Sequence, residues 1–404
     1  ELSSKLDITE IMDKFTKQSG FPVLEVNSQL SQKRFTLLNK ESKTIWPIPL
    51  FRDLNDKSLL NLQTAKNSQA SVYFNKYSAG FYLVNYDRDT VKLILSKWDS
   101  HDLRFRQNFI SEQMLLIKAG ISDSFDLLLD NLEQILKGND SLIWQEVSGI
   151  LSNLETLFCD NNKSLKTNLK NKINYLIGDI ASSIEISCNE NAEHLEILRA
   201  NTILGLATIA ENPQFKKYAL DLFDNSNSSD DIQANIRGKV YSLVASRGRI
   251  DDYNKLRSWL DSTIYSQERS NIYIGLAHFT DKDFIDKNLE YFKSDLRTQD
   301  YISYLSYLLS GLPDSKDQIW DFIKSQYLDI KKKIGNDLGF SRLPVIVARY
   351  FIGDEFKNDY ICFFEEQLEP SIERSFKQGL EILNYRERWL LKDLDLVKTY
   401  LDKK

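Results

Sequence analysis

The segment SLIWQEVSGILSNLETLF, residues 141–158, carries the pattern that decides the fold class. Its aliphatic side chains recur every three or four residues, at Leu142, Ile143, Val147, Ile150, Leu151, Leu154 and Leu157. Because an α-helix completes one turn in about 3.6 residues, these positions lie along one side and form an apolar stripe. The segment therefore predicts an amphipathic helix that buries one face.

The same helical period continues from Asp89 to the end of the chain. Further helices are predicted at about 105–118, 122–136, 163–184, 192–210, 213–223, 231–246, 250–261, 265–277, 281–293, 300–310, 315–333, 340–352, 356–366 and 371–401. So many short helices cannot surround one core, and neighbouring antiparallel pairs are expected to stack. Residues 89–404 are therefore predicted to form a large superhelical domain, a HEAT/armadillo-like α-solenoid, although the sequence shows no strict repeat.

The beginning of the chain has a different pattern. Residues 4–17 predict a helix that ends before Pro22. Strand-forming residues then predominate at Val23–Val26, Lys33–Leu38, Thr44–Phe51, Ser71–Asn75 and Gly80–Tyr86, with a hairpin turn at Asn27–Gln32. Pro47 and Pro49 each lack a ladder donor, so the third segment is expected at a sheet edge. The chain is thus predicted to be mainly α, with a small antiparallel β-sandwich over residues 18–88.

Length and composition limit the class of protein. A chain of 404 residues is too long for one compact core, and 42% apolar with 27% charged residues is typical of folded domains. Three widely spaced cysteines indicate a reducing compartment, and the net charge of −6 argues against nucleic-acid and membrane partners. With neither a leader nor a long apolar window, the sequence predicts a cytoplasmic protein.

Residues that could perform catalysis are scarce. The three histidines, His101, His194 and His278, form no local zinc-binding pair. The sequence also contains no glycine-rich phosphate loop and no nucleophile elbow. His278 is predicted at a helix end, where the helix dipole favours the imidazolium form. The residues themselves predict no catalytic residue, no metal site and no cofactor in this chain.

Several segments, in this order along the chain, resemble one enzyme family. They are Asp7–Val23, Gln32–Phe35, Trp46–Leu50, Gly80–Asp87, Leu198–Asn201, Arg297–Asp300, Trp320–Ile323, Gly339–Leu343 and Leu383–Leu401. The chain is similar to the C-terminal part of zinc metalloaminopeptidases of the puromycin-sensitive and tricorn-interacting type. The resemblance implies that residues 1–17 end a catalytic domain, 18–88 form the β-sandwich and 89–404 form the helical domain.

The family's zinc ligands and general-base glutamate lie upstream of the segment that Asp7–Val23 resembles. The resemblance therefore implies a noncatalytic region that is inactive alone, with zinc held elsewhere in a parent enzyme that removes N-terminal residues from peptides. It also implies that the helical domain encloses the active-site cavity and helps to bind the distal end of the peptide. The expected partners are peptides and the enzyme's own catalytic domain.

An arginine suits the distal end, because a guanidinium can hold a peptide carboxylate with two charge-assisted hydrogen bonds. Arg297 and Arg342 are the leading candidates and Arg199 is the third. Each also has a structural interpretation. Arg297 lies three residues before Asp300, with which it can form a salt bridge, and Arg342 can cap a neighbouring helix.

A second hypothesis is an independent helical-repeat scaffold that binds partner proteins in its groove. The residues are compatible with both hypotheses. The resemblance favours the aminopeptidase region, because residues 1–17 match the end of a preceding domain. A reading frame that continues upstream into a His-Glu-x-x-His domain would separate the two.

Overall fold

The computed structural model describes residues 8–52, 58–66, 73–160, 162–189, 191–334 and 338–403. These residues form two compact units. The first contains the described residues up to Ile150 together with those from Arg388 onwards, and the second is Leu151–Glu387. The division into 1–17, 18–88 and 89–404 stays a prediction.

The strands of the described chain all lie in the first unit. They are β1 (Pro22–Val26), β2 (Gln29–Arg34), β3 (Ile48–Pro49), β4 (Leu59–Leu60), β5 (Thr64–Lys66) and β6 (Leu83–Tyr86). One sheet has the order β5-β2-β1-β6, and β3 pairs with β4 in a second, smaller sheet. The side chain of Gln32 connects the two, because its amide donates to the carbonyls of Trp46 and Leu60 and accepts from the Trp46 N–H.

The prediction of a purely antiparallel arrangement was wrong. β1 pairs antiparallel with β2 but parallel with β6, with Val23 opposite Leu83. A parallel pair needs a long connection, and β1 and β6 are separated in sequence by residues 27–82, which include β2 to β5. The side chain of Asn27 accepts from the Gln29 N–H, which shortens the predicted hairpin turn and starts β2 earlier than expected.

Of two other predicted strands, the first is shorter than expected and the second is not seen in the described residues. The segment Thr44–Phe51 contributes only β3, consistent with the missing donors of its two prolines. Of Ser71–Asn75, residues 71 and 72 lie outside the described part of the chain, and residues 73–75 form no strand. There Asn75 has a φ of 49° and bonds through its side chain to both backbone groups of Gly80, which makes a turn.

Helices account for most of the described chain, so the mainly α prediction is confirmed. They are α1 (Ile8–Lys17), α2 (Arg88–Ser96), α3 (Leu103–Lys118), α4 (Phe125–Asp130), α5 (Leu132–Leu136), α6 (Ser141–Asn153), α7 (Lys163–Ile177), α8 (Ala181–Cys188), α9 (His194–Ile209), α10 (Pro213–Asn225), α11 (Arg237–Ala245), α12 (Ile250–Ser262), α13 (Ser266–Leu276), α14 (Lys282–Ser294), α15 (Tyr301–Gly311), α16 (Lys316–Ile334), α17 (Leu338–Ser341), α18 (Leu343–Ala348), α19 (Asp354–Glu366) and α20 (Pro370–Asp402). Among the described residues, no helix is both long enough and apolar enough to span a membrane.

Helix α3 covers the exposed edge of the larger sheet. Glu112 accepts the Val84 N–H at 3.0 Å, and Gln113 donates to the Val84 carbonyl at 3.1 Å. These two side chains satisfy backbone groups that a further strand would otherwise pair. The edge of β6 is thereby closed without a fifth strand.

In the second unit, alternate helices pack side by side, from α9 through α11 and α13 to α15. Lys255 donates to the Phe223 carbonyl and Trp259 to the Asn227 carbonyl, and each bond spans 32 residues. A step of 32 residues also relates two groups of charged contacts, which we name the inter-helix ladder. In the first group Arg237 and Tyr241 contact Glu268, and in the second Arg269 and Tyr273 contact Asp300. The stacking of helix pairs is thus repetitive over this stretch, although the HEAT/armadillo assignment stays a prediction.

Candidate functional site

Arg297 lies in the turn between α14 and α15. Its Nε and Nη2 atoms are both 2.8 Å from Oδ2 of Asp300, and 34% of its side chain is exposed. The ion pair considered from the sequence is therefore present. Part of the side chain faces solvent, whereas the Nη2 atom itself is buried beside Asp300.

Asp300 is shared with a second arginine. Tyr273 donates its hydroxyl to Oδ2 of Asp300 at 3.0 Å, and Arg269 Nε lies 3.9 Å from the same oxygen. Arg269 is only 12% exposed and also donates to the Leu260 carbonyl. Two guanidinium groups and one carboxylate leave a surplus of one positive charge, which favours an additional anion.

Tyrosine rings surround this group. Tyr304 is fully buried, and its ring lies 5.1 Å from that of Tyr273 and 6.0 Å from that of Tyr291. Arg257 stacks on the Tyr291 ring with its guanidinium carbon 3.8 Å from the centroid. Tyr304 is therefore a packing residue, while the cations beside it extend the positive region.

The sequence argument missed Arg257 and Arg269. The 32-residue step between Arg237 and Arg269 was a usable signal for the second, because each arginine begins an Arg-x-x-x-Tyr pattern and pairs with an acid near the start of the second helix that follows. No comparable signal exists for Arg257, which contacts the Tyr291 ring and lies 3.9 Å from Oδ1 of Asp261.

Arg342 lies immediately before α18 and is exposed. Within the described ranges its side chain makes no hydrogen bond or ion pair, and the helix cap considered from the sequence is not seen there. Arg199 lies in α9 and is half-buried. The three candidate arginines lie on different elements, in α9, in the turn before α15 and immediately before α18, and their roles stay predictions.

The histidines do not converge. His101 packs between Tyr73 and Phe105, and His194 is exposed at the start of α9. His278 follows the end of α13 as expected, but the expected preference for imidazolium was wrong, because burial lowers its pKa by more than the hydrogen bond between Nδ1 and the Ile274 carbonyl raises it. Over the described ranges, no group of three or more His, Cys, Asp or Glu side chains could hold a metal ion.

Comparison with known proteins decides the family. Residues 71–385 match the family model described as the ERAP1-like C-terminal domain. The chain belongs to this family. The ERAP1-like C-terminal domain covers nearly all of the second unit and the later part of the first, since the match begins before β6 and ends within α20.

Several proteins similar to this chain are aminopeptidases. Glutamyl aminopeptidase of Bitis rhinoceros is 26% identical over 436 residues, covering 100% of this chain and 45% of that protein. Aminopeptidase A of Gloydius brevicauda has the same identity over 436 residues, again 100% of this chain and 45% of the relative. Aminopeptidase N of Plutella xylostella is 24% identical over 396 residues, 88% of this chain and 42% of that protein. The chain thus spans less than half the length of the curated relatives it matches.

Proposed function

We propose that this chain is the noncatalytic C-terminal region of a zinc aminopeptidase that removes N-terminal residues from peptides. The family match over residues 71–385, with alignment to aminopeptidases along the whole chain, carries the proposal. Its helical part encloses the active-site cavity and binds the distal end of the peptide. We also assign the parent to the puromycin-sensitive and tricorn-interacting type, on the sequence resemblance, and to the cytoplasm, on the reducing compartment that its three widely spaced cysteines indicate.

The partners that follow are peptides and the parent's catalytic domain. Zinc belongs to that domain on the sequence resemblance, because the family's zinc ligands lie upstream of the segment that Asp7–Val23 resembles. No step of peptide hydrolysis is assigned to the residues of this chain. Their contribution is to hold the peptide and exclude water from the reaction.

The peptide's terminal carboxylate is the group that the exposed arginines suit. At Arg297 the surplus positive charge beside Asp300 favours one carboxylate, and the Tyr273 hydroxyl helps to fix Asp300. Arg342 is exposed, and within the described ranges its guanidinium is not engaged by an acid. A carboxylate at Arg297 would share the guanidinium with Asp300, whereas at Arg342 it would displace no acid within the described ranges.

The noncatalytic assignment is tested on the purified chain. We expect no stoichiometric zinc after mild chelation and no release of chromophore from aminoacyl substrates. One tightly held zinc per chain together with turnover would contradict the proposal. A reading frame that ends just upstream without a His-Glu-x-x-His domain would instead support the stand-alone scaffold.

The role of the arginines is tested in the full-length parent. Arg297→Ala and Arg342→Ala should raise KM for free-acid peptides by about ten- to hundredfold, the equivalent of one charge-assisted contact. C-terminally amidated peptides should be affected little, since they present no carboxylate. Arg374→Ala, an exposed arginine in α20, is the matched control. Equal losses on both peptide forms with a lower Tm would assign the arginines to structure.

A further inference from the structure

The two groups of the inter-helix ladder differ in their balance of charge. In the first group Arg237 lies 2.9 Å from Glu268 and 3.1 Å from Asp230, so one cation meets two acids. In the second group Asp300 is the shared partner of two arginines, one in α13 and one in the turn before α15. Within the described ranges neither of these two arginines pairs with another acid. Guanidinium groups therefore outnumber carboxylates in the second group only.

Asp300 occupies the edge of the Arg297 guanidinium that a ligand carboxylate would use. Nε and Nη2 of Arg297 both lie 2.8 Å from Oδ2 of Asp300, and Nη2 is buried. A carboxylate binds a guanidinium most strongly when its two oxygens meet two N–H groups side by side. The nitrogen left for a ligand is Nη1, which makes no hydrogen bond or ion pair within the described ranges. The two-contact mode therefore requires that Asp300 leaves this edge.

A second cation is already in place to neutralise Asp300 when it releases Arg297. Nε of Arg269 lies 3.9 Å from the same carboxylate oxygen and donates to the Tyr273 hydroxyl at 3.2 Å. That hydroxyl in turn donates to Asp300 at 3.0 Å, while a bond from Nη1 to the Leu260 carbonyl holds Arg269 in position. A largely buried carboxylate without a cation would be strongly destabilising. Because Asp300 retains Arg269 and the Tyr273 hydroxyl, its release from Arg297 leaves no such group.

We propose that Asp300 is an internal competitor for the carboxylate site at Arg297, and that a peptide carboxylate binds there by displacing it towards Arg269. The inference rests on the proposed function, since that function assigns the carboxylate site to Arg297. The competition weakens the binding of every carboxylate by about the strength of one charge-assisted contact. A ligand must therefore supply further contacts along its length to occupy the site, which disfavours small free carboxylates.

The test measures the binding of N-acetyl-tetraalanine to the chain, as the free acid and as the C-terminal amide, by ligand-observed NMR titration. Asp300→Asn removes the competing charge, keeps nearly the same shape and can still accept from Tyr273. Its dissociation constant for the free acid should be at least about tenfold lower than that of the unmodified chain, the effect of one charge-assisted contact. The amide should bind equally to both chains, since it presents no carboxylate.

Asp295→Asn is the matched control, because it removes the same charge from an exposed side chain two residues before Arg297. Asp295 accepts from Ser294 and forms no ion pair with Arg297 within the described ranges, so the control should change the free-acid dissociation constant less than about twofold. Circular dichroism checks that each variant is folded. If Asp300→Asn loses helix content, Asp300→Ser is measured in its place, since serine also suits a helix N-cap.

The outcomes separate this inference from the proposed function. Tighter free-acid binding in Asp300→Asn that disappears when Arg297→Ala is added supports the competition. An unchanged dissociation constant in Asp300→Asn, or an equal gain in Asp295→Asn, would overturn it even where Arg297→Ala alone weakens free-acid binding. Free-acid binding that Arg297→Ala leaves unchanged would instead remove the carboxylate site itself, and the competition with it.

Discussion

Replacing Glu112 by Gln tests whether a buried carboxyl closes the sheet edge in its neutral form. Glu112 receives the Val84 N–H and the Asn108 side-chain amide, at 3.0 and 2.9 Å. Burial raises its pKa from 4.5 to about 8, against a smaller lowering by the Val84 hydrogen bond. Glutamine has nearly the same shape and can still accept from Val84, and Asn108 can turn its amide to present oxygen.

The pH dependence has a definite sign. Because the folded chain holds this proton more tightly than the unfolded chain does, the contribution of Glu112 to stability is full below pH 4.5 and is lost as pH rises towards 8. At about 1.36 kcal/mol for each unit of pKa shift, the loss across that window is about 5 kcal/mol. At pH 7 the loss of stability is about 3 kcal/mol, because pH 7 lies above the unfolded pKa of 4.5 but still below the folded pKa of about 8.

The Glu112→Gln variant lacks this titration. Its advantage over the unmodified chain in free energy of unfolding should therefore widen from about 1 kcal/mol at pH 5 to between about 4 and 5 kcal/mol at pH 8.5. The assay is urea-dependent hydrogen exchange of peptides that contain β6, since a chain with two compact units need not unfold in one step. Glu41→Gln, at an exposed site, is the control. Parallel stability curves for Glu112→Gln and the unmodified chain between these pH values would refute the reasoning.

Two further predictions concern packing between helices and are checked by thermal and urea unfolding. Gly275→Ala should lower the free energy of unfolding, because the added Cβ would lie 2.4 Å from the Cβ of Tyr241. Gly149→Ala should raise it by up to about 1 kcal/mol through helix propensity, because the Cβ added there meets no atom within 4 Å. Stabilisation by both substitutions would contradict the close approach of α11 and α13. Arg237→Met should cost between about 3 and 5 kcal/mol, because it leaves the buried Glu268 carboxylate without its cation. A loss below about 1 kcal/mol, as at exposed ion pairs, would contradict that assignment.

Local patterns predicted the helices well where apolar spacing was regular. The segment 141–158 is helical throughout, but the sequence did not reveal the change to a π-turn after Asn153. The predicted helix at 163–184 is divided at Gly178, whose φ of 59° ends α7. The helical period was placed from Asp89 onwards, but α2 was not given a range of its own, since its apolar residues Val91, Leu93, Ile94 and Leu95 form a cluster that strands also show.

The amino-acid sequence by itself determined the mainly helical class, the position of the strands before residue 88, and the resemblance that singled out Arg297, Arg342 and Arg199. The helices and strands depend on the pattern of neighbouring residues, and the resemblance depends on segments in sequence order, so both can be recognised without the tertiary structure. Only the tertiary structure decided that β6 pairs parallel with β1 and that Arg269 shares Asp300 with Arg297. Such contacts join residues that are distant in sequence, and their formation depends on how many helices and strands pack at once.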